Sequence, residues 1–162
     1  MSTFEIRSAS KNDISVILGF IKELAEYERL AQEVTATEAD LDLYLFGSRP
    51  CAEIIIGYLN NKPVSFALFF NNFSTFLGRP GIYIEDLFVK PEARDQDIGQ
   101  TMLAYIAHLA KKRGCGRMEW MVLDWNESAI GFYKRIGAKP KDGWTVYRID
   151  DRALDMLAAE WK

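Results

Sequence analysis

Two acids, Glu85 and Asp86, interrupt an apolar run that extends from Ile82 to Val89. A carboxylate here, a tyrosine and a phosphate-type turn are the chemistry that the sequence offers. A polar turn follows, Arg94-Asp-Gln-Asp-Ile-Gly99, and opens into a helix with apolar residues at Met102, Leu103, Ile106 and Leu109. Strand, polar turn and helix N-terminus together can hold a phosphate on backbone N–H groups. Tyr133 stands beside Phe132 in a later helical segment. Its phenol suits proton donation to a leaving thiolate, and equally a place in the core. Glu26, Tyr27 and Glu28 end another predicted helix, where the helix dipole disfavours negative charge. They form either a solvated face or a patch that attracts a cationic substrate.

Other chemistries lack their residues. His108 is the single histidine, it lies mid-helix, and no nucleophile is beside it in sequence. A metal centre would need a histidine cluster or paired cysteines. A serine or cysteine triad has no base. The Gly-x-x-x-x-Gly-Lys-Ser/Thr loop of nucleotide hydrolysis does not occur.

The elements that must position these groups can be read in order. Phe4–Arg7 alternates as a strand. Ser10-Lys-Asn-Asp13 supplies helix-start chemistry, with Asn12 or Asp13 as N-cap. Ile14, Ile17, Leu18, Ile21, Leu24 and Ala25 then repeat at helical spacing, giving a helix to about Glu28. Thr37-Glu-Ala-Asp40 has the composition of a capping box and starts a short helix that ends at Gly47. Cys51–Leu59 and Lys62–Phe73 read as strands around a tight Asn60-Asn61 turn. A turn at Leu77–Pro80 leads into the strand that bears the two acids. The helix from Ile98 stops near Arg113-Gly114. Arg117–Leu123 reads as a strand, Asp124–Gly137 as a turn and short helix, Trp144–Ile149 as a strand, and Asp150–Trp161 as a terminal helix. The strand–helix–strand unit from Ile82 to Leu123 predicts parallel pairing of its two strands. In such sheets ligands sit at strand carboxyl ends where neighbouring strands diverge. Glu85 and Asp86, consecutive in a strand, are expected on opposite faces.

The 162 residues, 49% hydrophobic and 27% charged, suit one soluble domain spanning 1–162. A net charge of −3 gives no general attraction to nucleic acid or to an anionic membrane. No apolar run approaches the roughly 20 residues of a membrane span. Cys51 and Cys115, far apart in sequence, together with an N-terminus without an apolar signal core, point to the cytoplasm.

Taken together, these residues resemble the GNAT superfamily of N-acetyltransferases, in particular the diamine and polyamine acetyltransferases of spermidine/spermine type. The likeness covers nearly the whole chain. It is carried by Phe20-Ile-Lys-Glu-Leu-Ala-Glu-Tyr-Glu28, Ile84-Glu-Asp-Leu-Phe-Val89 and Asp124-Trp-Asn-Glu-Ser-Ala-Ile-Gly-Phe-Tyr-Lys-Arg135, with Ile136-Gly-Ala138 and Asp142-Gly-Trp144 in support. The resemblance implies an α/β fold: a mixed, mainly antiparallel sheet with a central splayed parallel strand pair and helices on both faces. It implies acetyl-CoA as co-substrate and no metal. Leu87, Phe88 and Val89 would bond the pantetheine arm. The turn Arg94, Asp95, Gln96, Asp97, Ile98, Gly99 and Gln100 would hold the pyrophosphate, and Asn126 would contact the cofactor. Tyr133 would protonate the departing thiolate, and Glu85 would help to deprotonate the amine through water. Tyr27, Glu28, Glu85 and Asp142 would line the site of a small cationic amine. The resemblance also implies a homodimer.

The turn departs from the superfamily pattern, because Asp95 and Asp97 stand where glycines are usual. An aspartate about 5 Å from a phosphate charge is repelled by roughly 3 kcal/mol at an effective dielectric of about 20. Asp97-Ile-Gly-Gln100 also has capping-box spacing, which would occupy the N–H groups a pyrophosphate needs. Two readings follow: an acetyltransferase with weakened cofactor affinity, or a catalytically impaired relative that keeps the fold as a binding or assembly module.

Overall fold

The computed structural model describes residues 3–161. Its elements run β1 (Phe4–Ser8), α1 (Ile14–Tyr27), α2 (Glu38–Phe46), β2 (Glu53–Leu59), β3 (Lys62–Ser74), β4 (Arg79–Val89), α3 (Ile98–Lys112), β5 (Met118–Trp120), α4 (Glu127–Arg135) and α5 (Asp151–Ala158). They fall into two compact units, one ending at Leu123 and the other starting at Asp124.

The first unit is a five-stranded sheet in the order β1-β2-β3-β4-β5. All neighbours are antiparallel except β4 and β5, which pair in parallel from Ile82↔Met118 to Ile84↔Trp120. The fold is therefore α/β with a mainly antiparallel mixed sheet, and the predicted crossover through α3 is present. Asn60 and Asn61 turn β2 into β3 with φ of 51° and 62°, a pair of positive values that asparagine tolerates in two-residue hairpins. β5 is shorter than the expected Arg117–Leu123, because only Met118–Trp120 is paired.

Alternation divides the side chains between two layers. On one face Ile54, Ile56, Phe66 and Phe88 pack against Ile17, Phe20 and Leu24 of α1 and Leu41 of α2. Phe20 stacks on Phe66 at 5.1 Å and meets Phe88 edge-on at 6.4 Å. The other face carries buried Ile55, Ala67, Phe69, Ile82 and Ile84, and α3 packs there on β3 and β4, burying Met102, Leu103 and Ile106.

The alternation is reset once within β4. Leu68 pairs with Asp86, but Phe69 pairs with Ile84, so Glu85 is an extra residue in a β-bulge. Ile82 and Ile84 consequently face α3, while Asp86 and Phe88 face α1. The expectation that Glu85 and Asp86 simply alternate across a regular strand is corrected by this bulge.

Helix starts agree with the sequence in part. Thr37 and Asp40 form a reciprocal capping box, with Asp40 N donating to Thr37 Oγ1 at 3.2 Å and Thr37 N donating to Asp40 Oδ2 at 2.8 Å. Asp13 is the N-cap of α1, one of the two expected residues, although its side chain makes no capping hydrogen bond to that helix. Ser10 opens a 3-10 turn, and its own N–H donates to Asp13 Oδ2 at 2.7 Å.

In the second unit α4 and α5 are present. Trp144–Ile149 is not a strand, because its backbone joins no ladder among the described residues, and α5 stops at Ala158, short of Trp161. Trp144, Tyr147 and Trp161 are 77%, 93% and 90% exposed.

Phe20 joins α1 to two strands at once. Phe20→Ala is expected to cost about 3–5 kcal/mol, read by urea denaturation. A loss below about 1 kcal/mol would show that α1 is anchored elsewhere.

Candidate active site

The first unit holds most of the predicted site residues. α1 ends in a Schellman turn: Leu30 N donates to Ala25 O at 2.8 Å and Arg29 N donates to Glu26 O at 3.0 Å. Arg29 supplies the left-handed residue, with φ of 63°. This turn sets Tyr27 and Glu28 at the helix end, beside the carboxyl-terminal half of β4.

Asp86 faces that helix end. Burial, then the charge of Glu85, then that of Glu28 push its carboxyl from an ordinary 3.8 up to about 6. Burial also raises the pKa of Glu28. Glu85 itself is exposed. The bulge thus gathers three carboxylates into one place, which a cation would relieve. Two basic residues flank the group. Lys90 pairs with Glu23 at 3.3 Å, and the Arg94 guanidinium lies 4.7 Å from the Tyr27 ring centre and 5.7 Å from that of Phe88. Arg94 Nε also donates to Val89 O at 3.0 Å.

The same strand leads to a region suited to a phosphorylated thioester. β4 outlasts its parallel partner: pairing with β5 stops at Ile84↔Trp120, and Glu85–Val89 runs on. This is the divergence point at which such sheets take ligands. Beyond it the turn carries Asp95 at φ 61° and Asp97 at φ 56°, both left-handed. Asp97 forms no side-chain capping hydrogen bond, which corrects the expected Asp97–Gln100 capping box. N-cap side chains reach their N–H partners from an extended backbone, and the left-handed Asp97 is not in that conformation. The first-turn N–H groups of α3 are therefore not taken up by its carboxylate. Asp95, Gln96 and Asp97 are exposed, Ile98 is buried, and Gln100 is exposed. A Cβ built on Gly99 would meet only Val89 Cγ2, at 3.7 Å, so internal packing does not demand that glycine. Uncapped N–H groups, an open strand end and an unfilled glycine α-carbon fit an acyl-CoA.

The remaining predicted residues belong to the second unit. Asn126 is buried and caps α4, its Oδ1 accepting from Ala129 N at 3.3 Å. Tyr133 is half-buried on α4, its ring centre 5.6 Å from that of Phe132. Asp142 is exposed and precedes Gly143, whose φ is 84°. His108 is exposed on α3. A separate cavity of about 290 Å³ is lined by residues including Phe46, Glu53, Tyr105 and Arg113, and contains none of the site residues.

The family model described as acetyltransferase (GNAT) family matches residues 20–138. The chain belongs to the GNAT family. It is 35% identical to the thialysine N-epsilon-acetyltransferase of Bos taurus, over 99% of this chain and 100% of that one. It is 30% identical to the L-ornithine N5-acetyltransferase of Arabidopsis thaliana, over 94% and 86%. A solved integron cassette protein from the mobile metagenome of V. cholerae superposes with a TM-score of 0.80 at 28% identity, covering 96% of this chain and 97% of that one. As a GNAT member with acetyltransferase relatives along its full length, the chain is an acyltransferase acting on amines.

Sequence reasoning named both acids of this GNAT strand but gave Asp86 no role at the site. Two adjacent acids in an apolar strand were the available signal, and the bulge that turns Asp86 toward Glu28 left none. Because its folded pKa is raised, ionising Asp86 costs stability: its favourable contribution is complete below about pH 4 and is lost as pH rises through about 6. Asp86→Asn should therefore stabilise the protein by about 2 kcal/mol at pH 8, with the gain fading toward pH 4. Denaturation midpoints across that range check this, and a pH-independent difference would contradict it.

Proposed function

We propose that the chain, acting as one domain over 1–162, transfers an acetyl group from acetyl-CoA to a primary amine of a small cationic substrate. The observation that carries this reading is the arrangement on β4. Within one strand–turn–helix, the bulged carboxylates meet the end of α1, and the strand then continues into an uncapped helix N-terminus. The names of its relatives mention thialysine, ornithine and spermidine/spermine, which are cationic amines. Three carboxylates suit a diamine, a polyamine or a lysine-like amino acid.

The residues divide the work. We assign Tyr27, Glu28, Glu85 and Asp142 to the amine, and add Asp86 because it faces the end of α1 with a raised pKa. An ammonium must lose its proton before it can attack, and an acceptor with a pKa near neutrality is well matched to that task. Asp86 meets this condition, and exposed Glu85 offers the path through water to solvent. Leu87–Val89 would hold the pantetheine arm, the 94–100 turn would hold the pyrophosphate, and Asn126 would contact the cofactor. Acetyl-CoA supplies an activated thioester. Backbone N–H groups stabilise the oxyanion that forms on attack. The Tyr133 phenol gives its proton to the departing sulfur.

Asp95 and Asp97 do not argue for an impaired module. Both hold the left-handed conformation that glycine would adopt, and both are exposed, so their carboxylates can turn into water. Their effect is on affinity. The exposed apolar residues of the second unit, Trp144, Tyr147 and Trp161, support a homodimer in which a second copy covers them. No described helix is long and apolar enough to cross a membrane, and we place the enzyme in the cytoplasm, with neither nucleic acid nor membrane as partner.

Thiol release from acetyl-CoA with thialysine, ornithine, spermidine and putrescine tests the reading. At least one amine should release thiol and gain one acetyl group by mass. No release with any of them, and no acetyl-CoA binding by calorimetry, would overturn it. Tyr133→Phe should lower kcat by about 100-fold with the acetyl-CoA Kd unchanged. The Asp95→Gly/Asp97→Gly double variant should tighten acetyl-CoA by about tenfold, the screened remainder of a roughly 3 kcal/mol repulsion.

A further inference from the structure

The turn after β4 holds two non-glycine residues in left-handed conformations within three positions, Asp95 at φ 61° and Asp97 at φ 56°. Such conformations persist only where surrounding contacts over-determine them. The contacts available at the head of this turn belong to Arg94. Its Nε donates to Val89 O at 3.0 Å, pinning the turn to the strand it has just left. Its guanidinium lies over Phe88 at 5.7 Å and over Tyr27 at 4.7 Å. Phe88 belongs to the α1-side core, and Tyr27 is the last residue of α1. A planar guanidinium between aromatic faces is held by both stacking and charge. It also lies at a helix C-terminus, where the dipole favours a cation.

We infer that Arg94 is a positioning residue that locks the cofactor turn to the amine side of the site, so that Tyr27 sets the affinity for acetyl-CoA without touching it. The inference deepens the proposed acetyl-CoA reading and rests on it. Glycines would let this turn reach its form at little cost, whereas the two aspartates need an anchor. Arg94 spends its Nε and its stacking faces on protein groups, which is the behaviour of an anchor and not of a dedicated phosphate ligand. Whatever orders Tyr27, including an amine bound beside it, also orders the turn, and the coupling is reciprocal.

The test is a double-mutant cycle read by calorimetric titration of acetyl-CoA. Tyr27→Leu keeps an apolar cover but removes the ring face, and should raise the Kd about fivefold. Tyr27→Phe keeps the face and should bind as the wild type does. Arg94→Met should weaken binding by at least as much as Tyr27→Leu, and the Arg94→Met/Tyr27→Leu double variant should bind like Arg94→Met alone. Thermal melting identifies any variant that fails to fold; should Tyr27→Leu do so, Tyr27→His, which retains an aromatic ring without the phenol, replaces it and should weaken binding less than Arg94→Met. A wild-type Kd in Tyr27→Leu, or single effects that multiply in the double variant, would overturn the inference while leaving the acetyltransferase reading intact. Failure of the wild type itself to bind acetyl-CoA would overturn both.

Discussion

β4 carries one more residue than its partner β3 between Ile84 and Asp86, and the site depends on that bulge. A period-2 strand cannot place Ile84 against α3 and Asp86 against α1, since residues two apart share a face. The extra Glu85 breaks the period once. Ile82 and Ile84 stay in the α3 layer, Phe88 reaches the α1 layer, and Asp86 is carried with it to the end of α1, where Glu28 waits. The bulge also lies where the parallel pairing with β5 ends, so the clustered carboxylates and the open strand end come from the same few residues.

This arrangement is unfavourable for the unliganded fold. Three carboxylates share a partly buried place, and one of them is pushed to about 6 by burial and by the other two. Two aspartates hold left-handed conformations in the turn that follows. Both features are compensated locally, by the Phe20–Phe66–Phe88 cluster that holds α1 on the sheet and by the Arg94 contacts at the turn. A cationic amine would remove the first cost directly, which is how a site destabilised in the free protein favours its ligand.

Features with local causes were legible in the sequence. The Thr37–Asp40 capping box, the Asn60-Asn61 hairpin turn and the β4–α3–β5 crossover each follow from a few neighbouring residues, and each is present. The residues at the end of α1 and on β4 were named because acids there are conspicuous. The bulge left no trace in the pattern, since Ile82, Ile84 and Phe88 keep even spacing whether or not Glu85 is extra. The role of Asp86 was lost with it, because that role depends on Glu28, nearly sixty positions away in sequence. Asp97 had the residue type of a cap, but the conformation of the turn, braced by Arg94, decides otherwise. Trp144–Ile149 has strand composition, yet a strand also needs a partner edge, which composition cannot supply.

In the proposed mechanism, the bulge makes Asp86 the proton acceptor for a bound cation. Carbon-detected NMR titration of the aspartate carboxyls, with Asp86 assigned by its absence in Asp86→Asn, measures this directly. The expected result is a midpoint near 6 in the free protein that falls when spermidine or thialysine is added. A midpoint close to 4 that does not move with either amine would contradict it.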